Sequence, residues 1–135
     1  MNDEKRRLRV KGRRTSGSFL KLDKELLAHP NFVKLTPRGV KLLVDLGSYY
    51  NGSNNGDLTT AKTILKERGW RSNSNLSAAL DELIYYQFVK VTRQGCKGIC
   101  TLVLLTFFPV NESKGKHSFR TTPIAPNDYK ATKKR

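Results

Sequence analysis

Hydrophobic positions crowd into the middle of the chain, from about residue 19 to residue 110, and recur there at two periods. Val40, Leu43, Val44 and Gly47 fall at i, i+3, i+4 and i+7, the spacing of one helix face, and Leu42 and Leu46 widen the stripe. Thr36 can cap that helix and Pro37 suits its first position, so the pattern predicts a helix from residue 37 to about residue 50, buried on more than one side. A short helix over residues 23–28 precedes it, with Asp23 as N-cap and Pro30 as its stop. The polar run Asn51-Gly52-Ser53-Asn54-Asn55-Gly56 makes a loop, and Asp57-Leu58-Thr59 is β-prone. A second helical run over residues 60–68 turns Ala61, Ile64 and Leu65 inward and breaks at Gly69, with Trp70 packing over the turn. A third, over about residues 74–87, carries Leu76, Leu80, Leu83 and Ile84 on one face. Period two then takes over. Phe88, Val89 and Val91 lead into the turn Gln94-Gly95-Cys96-Lys97-Gly98, and residues 99–107 return as a strand that Pro109 ends. Residues 102–108 are apolar almost throughout, as in a strand covered on both faces.

This order predicts an α+β fold, a winged helix-turn-helix in which a three-helix core carries a β-hairpin wing. The expected organisation is a disordered basic arm at residues 1–18, one domain at residues 19–110, and a disordered basic tail at residues 111–135. A chain of 135 residues suits one such domain.

Charge sharpens the picture. The formal net charge is +15, and it gathers at the ends. Lys5, Arg6, Arg7, Arg9, Lys11, Arg13 and Arg14 outnumber Asp3 and Glu4 in the first 16 residues, and seven further cations face only Asp128 beyond residue 112. Basic tails on a nearly balanced core suit arms that follow the phosphates of a polyanion. Cationic ends that merely aid solubility would look the same.

The start of the third helix has the residue types a base-reading helix needs. Arg71, Ser72, Asn73, Ser74 and Asn75 offer donors and acceptors with little bulk, and Ser77 and Ala78 follow one turn on. Asn can pair with adenine, Arg with guanine, and Ala can touch a thymine methyl. The plainer role for the same residues is a Ser72 or Ser74 cap with solvated asparagines. Asp81 and Glu82 would repel phosphate, which limits contact to the first two turns. On the hairpin, Arg93, Gln94 and Lys97 could meet phosphate or the minor groove, or serve as ordinary exposed charges. Thr59, Thr60 and Lys62 could hold phosphate at the second helix's start, or cap it.

Catalytic chemistry finds little support. His29 and His117 lack neighbouring Cys or carboxylate clusters, and the glycines near residue 52 are not followed by the Gly-Lys-Ser/Thr of a phosphate-binding loop. Cys96 and Cys100 are a lone C-x3-C without a second pair, so neither a zinc site nor a disulfide scaffold is expected, and a reducing compartment suits them. No metal, cofactor or enzymatic activity is predicted. The basic start has no apolar core of a secretory signal, and no apolar run reaches the ~20 residues of a membrane span.

The runs Tyr49-Tyr50-Asn51-Gly52-Ser53-Asn54-Asn55-Gly56-Asp57-Leu58, Arg68-Gly69-Trp70, Leu80-Asp81-Glu82-Leu83 and Thr92-Arg93-Gln94-Gly95 resemble small winged-helix proteins of phages, prophages and plasmids. The lead-in Ala28-His29-Pro30-Asn31-Phe32 and Leu35-Thr36-Pro37 fits the same pattern, and the resemblance covers residues 19–110. Some of these proteins are similar to DNA-binding domains of replication initiators, and others to transcriptional regulators. The resemblance implies duplex binding through residues 71–78 and the wing, without choosing between replication and transcription; a cytoplasmic, nucleoid-associated protein is expected. Two other readings stay open. The tails could bind RNA, or Tyr85-Tyr86 and Phe107-Phe108 could dock a protein unless they are core. Oligomeric state and target sequence stay open as well.

Overall fold

The computed structural model describes residues 18–113, 115–117 and 119–131. The basic residues Lys5, Arg6, Arg7, Arg9, Lys11, Arg13 and Arg14 lie outside them. The fold is α+β, with its main helices packed on a three-stranded antiparallel sheet. In chain order it comprises α1 (Lys24–Ala28), α2 (Pro30–Val33), α3 (Pro37–Tyr49), β1 (Leu58–Thr59), α4 (Lys62–Leu65), α5 (Asn73–Tyr85), β2 (Val89–Arg93) and β3 (Leu102–Leu105). Single 3-10 turns at Lys66–Arg68 and Asp128–Lys130 complete it.

Local chemistry sets the boundaries. Pro30 ends α1 and also opens α2, because the His29 ring accepts the Asn31 N–H at 3.1 Å and leaves Pro at the position that needs no donor. Thr36 caps α3 as its sequence predicts, accepting from the Gly39 N–H. The Glu82 carboxylate reaches across from α5 to the Thr36 N–H and, at 2.7 Å, to its hydroxyl. Glu82 therefore serves α3's positive end, a structural role that its sequence position does not reveal. The second helical run is shorter than its pattern predicts. Thr60 still pairs with Thr101 through its N–H, so the chain stays strand-like there and only four α-helical residues follow before the 3-10 turn. Gly69, at φ +95°, provides the left-handed stop.

The sheet order is β1-β3-β2, with Leu58 opposite Val103 and Val89 opposite Leu105. As the central strand, β3 is buried along its whole length, the two-sided burial its apolar run predicts. The core joins Leu42, Leu43 and Leu46 of α3 to Leu76, Ala79 and Leu83 of α5, and both to Phe88, Val103 and Leu105. The α3 stripe lies where its pattern predicts, with Leu42, Leu43 and Leu46 buried, except at one position. Val44 is 41% exposed, and Gly47 turns inward beneath the Leu20 side chain. On α5, Ile84 is also largely exposed, and Ala79 takes the inner position.

Two buried polar side chains tie the layers together. Asn55, 1% exposed, donates to the carbonyls of Leu105, Phe108 and Pro109 and accepts the Leu105 N–H at 2.8 Å. The Asp45 Oδ2 accepts from the Trp70 indole at 2.7 Å and from Lys41 Nζ at 2.8 Å. Trp70 thereby packs over the turn between α4 and α5, as predicted, and is pinned to α3.

The segment after the sheet differs from the free tail expected from residue 111. Val110, Ser113 and Tyr129 are buried, and Tyr129 stacks on Phe88 at 5.2 Å between ring centroids. Asn31 Nδ2 donates to the carbonyls of Tyr129 and Ala131, both at 2.8 Å, and Lys90 pairs with Asp128. Polar, Pro-containing composition signals exposure, but one aromatic ring and a few backbone bonds suffice to bring such a segment home. Among the described residues no helix is long and apolar enough to cross a membrane.

Candidate nucleic-acid interface

Ser72 opens α5 at an extended backbone position, and its hydroxyl accepts the Asn75 N–H at 3.3 Å and lies 2.9 Å from the Ser74 hydroxyl. The helix turns that follow present one face to solvent and one to the core. Arg71, Asn73, Ser74, Asn75 and Ser77 are exposed, Ser72 and Ala78 half-buried, while Leu76 and Ala79 face the core. Arg71, Asn73 and Ser77 make no side-chain hydrogen bond or ion pair among the described residues. The serine cap is thus present, and beside it Arg71, Asn73 and Ser77 form a polar face without partners among the described residues.

The other expected contacts are less available. Thr59 Oγ1 accepts the Ala61 N–H at 3.1 Å, and Thr60 Oγ1 donates to the Thr101 carbonyl at 3.2 Å. Both threonines are local structure, and Lys62 beside them is half-buried. On the hairpin a bulge at Thr92 shifts the register, so that Arg93 opposes Leu102. Its guanidinium turns back over the hairpin, where Nη2 donates to the Cys100 carbonyl at 3.0 Å and lies 3.6 Å from Cys100 Sγ. Hydrogen bonds from Thr59 and from Arg93 hold the Cys100 thiol below its usual range despite partial burial. Gln94 and Lys97 remain exposed at the tip, where Cys96 and Ile99 form a single antiparallel bridge. Cys96 and Cys100 are free thiols.

One basic residue that sequence reasoning passed over joins the site. Arg38, in the first turn of α3, places Nη1 3.5 Å from Asn75 Oδ1. These residues lie 37 positions apart, and only the packing of α3 on α5 brings them together. Near neighbours in this region are already matched: Lys41 is held by Asp45 and by the Arg68 carbonyl at 2.7 Å. Of the aromatic pairs considered for protein docking, only Tyr85 is exposed, with its ring edge-on to Tyr86 at 4.9 Å. Tyr86 is buried, and Phe108 stacks on Tyr50 at 4.4 Å, with Phe107 against it.

Neither histidine builds a reactive cluster. His29 caps α2, and the His117 ring is enclosed over Gly56. Its Nδ1 accepts the Phe119 N–H at 3.1 Å, which leaves Nε2 as the N–H, facing Asp57 Oδ1 at 3.4 Å. Among the described residues no three His, Cys, Asp or Glu side chains gather as metal ligands. No family model, no curated protein and no solved structure matches the chain.

Proposed function

We propose that this chain is a non-enzymatic winged helix-turn-helix protein that binds double-stranded DNA, of the kind carried by mobile elements, acting in replication initiation or transcriptional regulation. The observation that carries the reading is the start of α5: a serine-capped helix whose first two turns hold Arg71, Asn73, Asn75 and Ser77 exposed. The succession α3, β1, α4, α5, β2, β3 with sheet order β1-β3-β2 supports it, because it is the order of a winged helix and packs α5 against both α3 and the hairpin strand β2. In this reading α5 enters the major groove, Gln94 and Lys97 at the hairpin tip approach the backbone, and the net charge of +15 supplies affinity independent of sequence. Arg93, engaged with Cys100, steadies the hairpin rather than touching DNA.

The test is fluorescence anisotropy of the full chain on random duplex DNA, single-stranded DNA and structured RNA across a salt series. Duplex should win, with a log–log slope of about −0.9 per phosphate contact. On a duplex selected from a random pool, the double variant Arg71→Ala/Asn75→Ala should lose preference over other duplexes, by about 1–3 kcal/mol per base contact, and keep salt-sensitive binding. Tighter binding to RNA or single strands, or unchanged preference in the variant, overturns the reading.

A further inference from the structure

A groove of about 280 Å³ lies between the first half of α3 and the entry to α5, with Trp70 at its floor. Arg38 and Lys41 approach from α3, and Arg71, Ser72 and Asn75 from α5's side. Two of these five polar groups are already committed. Lys41 neutralises Asp45 and bonds the Arg68 carbonyl, and the Ser72 hydroxyl caps α5. The nearby Glu82 carboxylate is likewise spent on Thr36. What remains are the Asn75 amide and two exposed guanidiniums, Arg38 and Arg71, neither of them in an ion pair among the described residues. Arg38 touches only Asn75, at the outer limit of a hydrogen bond.

Two unpaired guanidiniums beside one groove, with no free carboxylate among its lining residues, are suited to an anion with several oxygens. A guanidinium presents parallel N–H donors that match a phosphate edge, and it sheds water more readily than an ammonium. We propose that the groove seats one backbone phosphodiester of the same duplex that α5 contacts, with Arg38 from α3 and Arg71 from α5's entry as its two grips. This rests on the duplex-binding reading and adds to it. It makes α3 part of the DNA face, and it fixes how deep and at what angle the α5 N-terminus sits, since the phosphate is held from two helices at once. Asn75, beside Arg38, stays free to meet a base edge through its Nδ2 donors.

The experiment compares the full wild-type chain with Arg38→Gln and Arg38→Lys by fluorescence anisotropy, on several duplexes of different sequence over a salt series. Thermal melting of each variant checks folding, and the exposed Arg38 side chain predicts no change. Arg38→Gln should weaken binding to every duplex by a similar factor, on the order of tenfold, and flatten the log–log salt slope by about 0.9, while the ranking of sequences persists. Arg38→Lys should restore the slope but not all of the affinity, because a point charge replaces the fork. If the wild type prefers duplex DNA and Arg38→Gln leaves affinity and slope unchanged, the groove is not a phosphate seat and the inference alone falls. A changed ranking with an unchanged slope also overturns it, since Arg38 then acts on base contacts. A wild-type chain without duplex preference removes the underlying reading itself.

Discussion

Replacing Tyr129 by Ala measures whether the segment beyond the sheet belongs to the fold. The residue is 3% exposed, its ring stacks on Phe88 at 5.2 Å and 13°, and it meets the His29 ring edge-on at 5.5 Å. Truncating a large aromatic side chain in a core costs about 3–5 kcal/mol, of which the ring pairs account for about 0.5–1.5. The lower end applies, because the bonds from Asn31 go to the Tyr129 and Ala131 carbonyls and survive the change. The expected loss is therefore about 3 kcal/mol, or roughly 10 °C in Tm for a domain of this size. Urea unfolding of the full chain, followed through the fluorescence of Trp70, reads it directly. Tyr129→Phe keeps both ring contacts and should lose much less. Ile124→Ala, at a residue 75% exposed in the same segment, should stay within about 0.5 kcal/mol of wild type. A Tyr129→Ala variant as stable as wild type would mean that the ring spends its time in solvent and that residues 119–131 are the free tail their composition suggests.

Asp45→Ala strands the buried Trp70 indole N–H, so urea unfolding should register a loss of about 1–3 kcal/mol, with Asp45→Asn intermediate, since half-exposed Lys41 keeps the Arg68 carbonyl and water. At Asn55 the amide faces three carbonyls, so Asn55→Asp, which sets a carboxylate against Leu105, Phe108 and Pro109, should unfold at lower urea than Asn55→Ala. Alkaline titration should also destabilise the protein. Burial raises the phenols of Tyr129 and Tyr50 above their ordinary 10.0, so the unfolded chain ionises first. Their contribution is complete below pH 10.0 and is lost as the pH climbs through the folded values, and Tyr129→Phe should flatten that decline in a pH series of thermal melts.

Elements whose signals are local were legible in the sequence. Thr36-Pro37 opens α3, Gly69 stops the second helical run, and the apolar run at residues 102–105 is the buried central strand. What escaped depends on partners far along the chain. Composition does not tell that Tyr129 finds Phe88, 41 positions earlier, or that Glu82 spends its charge on the N-terminus of α3. Helix length failed for a related reason. Thr60 has ordinary helical neighbours, but its pairing with Thr101 holds it in the sheet. On α3 the departure is Val44, which stays exposed because Leu42, Leu43, Leu46 and Gly47 already fill the inner face.

The candidate site follows the same division, with a consequence for how the protein would hold a polyanion. Residue type identified the α5 entry, since an exposed polar start of a helix is a local property. A sequence shows which side chains can bond phosphate but not which of them the fold has already engaged. Thr59, Thr60 and Arg93 are satisfied by Ala61, Thr101 and Cys100, and Lys41 by Asp45. Residue type also missed Arg38, which reaches the site only across the α3–α5 contact. In the folded domain Arg38 and Arg71 line one groove without an ion pair among the described residues, and Gln94 and Lys97 stand exposed at the hairpin tip, while the excess of basic residues in the sequence lies before residue 17 and after residue 112. A small fixed set of contacts favours discrimination, since each must fit a defined geometry. A diffuse basic excess favours affinity that salt erodes. In the duplex-binding reading, preference and strength of binding therefore belong to different parts of this chain and can be altered separately.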